Sequence, residues 1–324
     1  MNNFKKIGMT ALAASLVSTS AFAGELTATG TASLTMEGYS GTILQSDTAF
    51  SMADSVTLAG STELDNGMTV TMSFELDGDA ESGTSAYDDN SLTIASDALG
   101  TVKFSAHGGS SASSAIDATA AGDIYGNFDD TSLTVVGAAT KAAAAGNNNI
   151  YYTLPSMVDG LSVNASLNTA GATGNNAVGY NATYTGVEGL SVSYGFADIE
   201  SGVSTTSGDH TVMKASYAYG PVTASWSNSE YDIGPANTQA TAQEVSSYAL
   251  SYTVTDSISV TYGSETIESG LASEVDAEYD SLKASFTSGG MTISLTSQEA
   301  TNIDHTVDTD NDYDYWALGL AFAF

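Results

Sequence analysis

No cysteine and no arginine occur anywhere in the 324 residues. An exported chain without cysteine has no disulfide framework, so its stability must come from backbone hydrogen bonding and burial. Six lysines stand against 38 acidic residues, a formal charge of −32. Such a chain repels polyanions, which excludes nucleic acid as a partner. Only three prolines are present, too few for Pro-rich linkers. Beyond residue 23 no run of about 18 apolar residues exists, so no transmembrane helix is available. The three histidines, His107, His210 and His305, are scattered. No H-E-x-x-H, nucleophile elbow or glycine-rich phosphate loop accompanies them, and nothing marks a catalytic centre or a metal site. The acidic run DTDNDYD (308–314) begins like a calcium loop, but Tyr313 holds the position of the required glycine and Gly319 that of the closing glutamate. It is not an EF-hand. No cofactor is implied, although weak calcium bridging between acidic loops is left open by the composition.

What is present begins with an export signal. Lys5 and Lys6 precede an apolar stretch from Met9 to Val17, and Ala21-Phe22-Ala23 follows. Charged start, short apolar middle and A-x-A end form the pattern of a secretory signal peptide. Residues 1–23 are therefore expected to be removed between Ala23 and Gly24, leaving 24–324 as one domain. The removed segment takes Lys5 and Lys6 with it and makes the mature chain still more acidic.

From Gly24 onward, apolar and small polar residues alternate. Met68, Val70, Met72, Phe74 and Leu76 face one way in MTVTMSFEL, against Thr69, Thr71, Ser73 and Glu75. LSVNASL, LSVSYGF, VTASW, YALSYTV, LKASF and MTISL repeat the pattern, and a period of two defines a strand with one apolar face. The chain ends the same way: Trp316, Leu318, Leu320, Phe322 and Phe324 share one parity. Short connections rich in Gly, Asp and Asn (64–67, 97–100, 155–160, 186–189, 219–221, 255–256 and 288–290) alternate with long polar ones (38–48, 77–90, 107–147, 168–176, 197–209, 228–244, 265–278 and 298–312). Strict alternation of short and long connections has no cause in a soluble sandwich. It is required of a transmembrane barrel, with apolar residues outward, polar ones inward and no open edge in the bilayer. The expectation is an all-β, antiparallel up-and-down barrel of about sixteen strands, with short periplasmic turns and long extracellular loops. The last strand (314–324) closes on the first (25–36). Aromatic residues near strand ends, Tyr151, Tyr180, Tyr194, Tyr217, Tyr248, Tyr313 and Tyr315 among them, read as interfacial girdles.

The signal segment, GELTATGTASLTMEG, the hairpin TELDNGMTVTMSFEL and the terminal DYWALGLAFAF together resemble the Gram-negative general-diffusion porins, particularly the sixteen-stranded trimeric type. The resemblance implies an outer-membrane location, a homotrimer, and a terminal Phe324 read by the barrel assembly machinery. It also implies that the third long loop, 107–149, folds inward and narrows the pore. The middle of that loop carries Asp117, Asp123, Asp129 and Asp130, carboxylates suited to a constriction. Porins usually oppose this loop with basic residues on the wall. Here the early inward positions are Thr27, Thr29, Thr31, Thr57, Thr69, Thr71 and Glu75, and Lys103 is the single early inward base. Small or apolar outward residues of the first strands (Ala28, Gly30, Ala32, Val56, Leu58, Gly60) suit close approach between barrel walls.

The function expected is passive diffusion of small hydrophilic solutes and ions through a cation-preferring pore, with outer-membrane lipid, further copies of the chain and the assembly machinery as partners. Three other functions compete. A substrate-specific channel would show saturable block by its solute. A barrel enzyme, such as a lipase or protease, would need histidine partners that the sequence does not display. A secreted acidic, calcium-binding surface or adhesin protein would stay soluble without detergent.

Overall fold

The computed structural model describes residues 26–40, 48–77, 87–128, 148–169, 176–200, 207–233, 243–268, 275–303, 305 and 313–324. The expected signal segment and its cleavage site at Ala23 and Gly24 lie outside the described residues, as do Asp129, Asp130 and Lys141.

Sixteen strands follow one another: β1 (Leu26–Ser40), β2 (Ala49–Glu63), β3 (Thr69–Asp77), β4 (Tyr87–Ser96), β5 (Gly100–His107), β6 (Asn149–Thr153), β7 (Leu161–Thr169) and β8 (Asn176–Tyr184). They continue with β9 (Leu190–Glu200), β10 (Gly208–Tyr219), β11 (Val222–Ile233), β12 (Gln243–Thr255), β13 (Ile258–Glu268), β14 (Ala277–Ser288), β15 (Met291–Thr301) and β16 (Tyr313–Ala323). Each pairs antiparallel with its sequence neighbour, and β16 pairs with β1 to close the barrel. This is the architecture that the alternation predicts.

Parity assigns every strand an outside and an inside. On β2 and β3 the outward pairs are Val56–Leu76, Leu58–Phe74 and Gly60–Met72, and Met72 is 60% exposed on the isolated barrel. The inward face carries hydroxyl rungs, such as Thr71–Ser61 (3.1 Å), Thr183–Ser193 (2.9 Å) and Ser251–Thr261 (2.8 Å). Cross-strand pairs of this kind are the unit of sheet stabilisation.

Two sequence expectations change. First, strands run further toward the loop end than expected: β1 reaches Ser40 and β11 reaches Ile233. Polar and acidic residues continue the ladder there because the backbone hydrogen bonds of a closed sheet need no apolar side chain where water bathes both faces. Second, Tyr151, Tyr313 and Tyr315 are not girdle residues. They face the lumen, where Tyr315 donates its hydroxyl to Glu37 (2.8 Å) and Tyr151 accepts from Asn181 (3.3 Å). Their parity, opposite to Trp316 and Ile150, is the reason.

The seam is closed by the last residue. Gly30 donates its amide to the Phe324 carbonyl (2.7 Å) and accepts from the Phe324 amide (3.0 Å). The Phe324 ring lies over the space that a side chain at Gly30 would fill, and the Trp316 indole covers Gly38 likewise. An aromatic laid across a strand glycine compensates the missing side chain. Gly30 is thus occupied by its own chain and does not remain open to a neighbouring wall.

Candidate functional site

The described part of the longest connection, residues 108–128, folds into the barrel. Its backbone is fastened to one inner-wall strand after another. The Ala112 amide donates to Ser166 Oγ on β7 (2.7 Å), and Asn181 on β8 donates to the Ala112 carbonyl (2.5 Å). Lys214 on β10 bonds Asp117 Oδ2 (2.6 Å) and the Thr119 carbonyl (3.2 Å). The Ala121 amide donates to Ser247 Oγ on β12 (2.8 Å). Glu265 on β13, 1% exposed, accepts the amides of Ile124 (2.8 Å) and Tyr125 (3.2 Å) through one oxygen and the Ser247 hydroxyl through the other (3.2 Å). Asn127 donates to Gln298 on β15 (2.9 Å), and Tyr39 on β1 donates to the Asn127 carbonyl (2.9 Å). The loop therefore lies against the inside from β7 around to β1.

Close approach of the loop to the wall needs small wall residues. A side chain at Gly195 on β9 would collide with Ser113, Ile116 and Val212, and one at Gly263 on β13 would sit 2.7 Å from Ala121. At the far end the loop makes a short 3-10 turn, Tyr125–Phe128. Phe128 and Ile124 enter an apolar cluster with Val245, Ile267, Tyr279, Ile303 and Tyr313. Phe128 stacks obliquely on Tyr279 (5.8 Å) and meets Tyr315 edge-on (6.3 Å). Burial of this kind, together with the buried carboxylate, makes the loop a fixed partition within the lumen.

Of the six carboxylates and bases singled out in the sequence, four are described. Glu75 and Lys103 share one lumen-facing hollow of about 90 Å³ on β2–β5, with Asp89 and His107. Asp117 and Asp123 lie on the loop, fastened to the other side of the barrel. Asp117 is engaged: one oxygen meets Lys214, and the other accepts the Thr119 amide (3.1 Å) and hydroxyl (3.2 Å). Asp123, with φ of 60°, is exposed to the lumen and has no lysine within ion-pair distance among the described residues.

Several residues that build the site carried no sequence signal. Asn164 and Asn181 bond one another (2.6 Å) beneath the loop. Lys214 and Lys283 turn out to be inward bases. Glu265 could have been found as an inward acid flanked by inward apolar residues, since Val245, Ile267 and Tyr279 break the rule of small polar lumen positions.

A closed barrel with an apolar exterior, a hydroxyl-lined interior and an inward loop defines a membrane channel. The chain belongs to the Gram-negative porin family, whose sequence profile matches residues 8–324. It is thus an outer-membrane channel protein. Among solved structures it is similar to an anion-selective porin from Comamonas acidovorans (16% identity over 93% of this chain and 99% of that one, TM-score 0.67). It is also similar to the outer-membrane protein OmpT of Vibrio cholerae with loop L8 deleted (14%, 93% and 99%, TM-score 0.67) and to a mutant Rh. blastica porin (16%, 93% and 100%, TM-score 0.62). At these identities the likeness is one of fold. Curated protein sequences give no significant match.

Proposed function

We propose that this porin is a passive, cation-preferring diffusion channel for small hydrophilic solutes, working as a homotrimer and catalysing no reaction. The observation that carries the reading is the loop fastened from β7 to β1, which leaves the passage between its exposed face and the bare wall of β2–β5. A water-filled lumen replaces the hydrocarbon that polar solutes cannot cross. Selectivity then depends on charges close to the passage, since remote ones are screened within about 8 Å at physiological salt. Asp123 and Glu75 attract cations there, Lys103 opposes them, and Asp117 contributes little because Lys214 balances it. Carboxylates in a narrow low-dielectric passage concentrate counter-ions. The anion-selective Comamonas porin has the same fold, so the fold does not set the sign of selectivity, and the reading assigns it to these few residues. Removal of residues 1–23 and recognition of Phe324 by the assembly machinery complete the route to the outer membrane. Conductance steps in a planar bilayer, with a zero-current potential of cation-selective sign under a KCl gradient, are the expected result. Absence of steps, or an anion-selective potential, would overturn the channel or its selectivity respectively.

A further inference from the structure

On the side of the loop nearer the short turns, a cavity of about 380 Å³ opens between the loop and the wall of β13–β16. Among the described residues its lining contains no carboxylate and one charge, Lys283. That is unexpected in a chain with 38 acids and six lysines. Lys283 is flanked in register by Thr261 on β13 and Thr296 on β15, whose hydroxyls share its inward face. Ser281 and Gln298 line the next rung, and Gln298 spends its carbonyl oxygen on Asn127, leaving its amide N–H groups to donate. Gly263 lines the cavity where Ala121 packs against the wall, and the loop roofs it with Ala121, Gly122 and Asn127. No carboxylate lies within 4 Å of the Lys283 ammonium among the described residues; the ion pair found there is that of Lys214.

We propose that this cavity is a subsite for a small polyhydroxylated carboxylate, a solute of the sugar-acid class, in transit through the pore. The inference rests on the channel reading and names a solute class for it. An ammonium supplies the charge, and hydroxyl and amide groups on adjacent rungs match a ligand that carries one carboxylate and several hydroxyls. The volume falls within the range of small-molecule sites and far exceeds what a lone inorganic ion fills. One ammonium in a polar, open cavity gives weak binding. Weak binding is what a channel needs, since a solute held tightly would not leave. The cation preference assigned to the passage does not conflict. Asp123 biases the ion atmosphere, whereas Lys283 retains a particular anion after entry.

The test uses the purified full-length mature protein in planar bilayers in KCl, with gluconate as probe and sorbitol as its uncharged counterpart. Gluconate should reduce the conductance reversibly and saturably, and sorbitol should not produce the same saturable block. Lys283→Gln should raise the half-blocking concentration about tenfold or more, the scale of one lost charge-assisted hydrogen bond, while Lys283→Arg keeps the block. Calorimetric titration of gluconate into the detergent-solubilised protein should show the same dependence on Lys283 without any need for conduction. Equal block of wild type and Lys283→Gln, equal block by sorbitol, or no block and no heat would overturn the subsite. In each of these cases intact KCl steps leave the channel reading standing, whereas loss of steps in the wild type removes that reading first.

Discussion

The two halves of the barrel differ on both of their faces. The outer face of β1–β7 is apolar, with Leu26, Phe50, Met52, Val56, Met72, Leu92 and Phe104 exposed. Tyr152 is its one outward tyrosine and Asp54 its one outward acid among the described side chains. Outside β8–β16, by contrast, stand Tyr180, Tyr194, Tyr217, Trp226, Tyr248, Tyr262 and Trp316. Above them are acids paired across strands: Asp209 lies between Asp198 and Asp232, and Glu244 faces both Glu230 and Glu268. Tyrosine and tryptophan anchor a wall at the lipid interface, and ionised acids require water or headgroups. A sector with almost none of either suits contact with protein, and this favours β1–β7 as the face that meets the other copies in the proposed trimer. Inside, the halves exchange roles. The loop props the wall of β8–β16, which in the proposed trimer would have lipid alone behind it, whereas the wall of β2–β5 carries no loop contact among the described residues. In that proposed arrangement each half is supported from one side, and the passage lies against the half whose support is outside.

The largest expected effect comes at the seam where the halves join. Deleting Phe324 removes both hydrogen bonds to Gly30 and the ring that covers it, and outer-membrane levels of the protein should collapse. Quantitative blotting of membrane fractions reads this; normal levels would show that closure does not depend on the last residue.

A charge on the exterior should come next. Leu250→Lys, outward near the middle of β12, should cost about 2–4 kcal/mol, and Val70→Lys, outward beside the start of β3, less, whereas inward Thr71→Lys should be tolerated. Unfolding in urea measures the cost, and native mass spectrometry in mild detergent separates the halves. Only Val70→Lys should reduce the trimer to monomers. Equal loss of trimer in both variants would erase the distinction between the sectors, and a monomeric wild type would remove the trimer itself.

Glu265→Ala tests the internal prop. Two backbone amides lose their acceptor, at about 1–3 kcal/mol each, and the loop should detach at that point while the barrel stays closed. Open-channel current noise should rise with little change in urea resistance. Unchanged noise would mean that the apolar cluster around Phe128 holds the loop without the carboxylate.

The smallest effects concern selectivity. Asp123→Asn should reduce the cation preference, Lys103→Ala should raise it, and neutralising acids at 308–314 should barely change it. Asp117→Asn should matter less than Asp123→Asn because Lys214 already balances that carboxylate. Zero-current potentials under a salt gradient provide the comparison, and a larger effect at Asp117 would place the passage elsewhere.

The barrel was legible because a period of two survives in almost every strand, and lipid on one side and water on the other enforce it. Strand ends were less legible, since beyond the hydrocarbon the backbone ladder continues through residues such as Glu230 and Asp232 that read as loop. The site was legible only in part. Glu75 and Lys103 share a hollow because their parities agree, a relation that local sequence carries. The pairing of Asp117 with Lys214, 97 residues apart, depends on where a loop crosses a wall, and no periodicity encodes that. Proximity to a strand end points Tyr151, Tyr313 and Tyr315 toward the girdle, whereas their parity turns them into the lumen.

The bond between Gly30 and Phe324 has a consequence for the order of assembly. Strands β2 to β15 can pair with neighbours as the chain is laid down, through contacts of short sequence separation. The first strand cannot complete its pairing until Phe324 arrives, nearly three hundred positions later. Until then β1 presents a full row of unsatisfied amides and carbonyls, the kind of edge that templates aggregation. Contacts this distant in sequence are the slow ones, because the loop entropy is lost before the contact compensates it. An export route for this chain must therefore shield one strand for the whole of synthesis and translocation, and release it last.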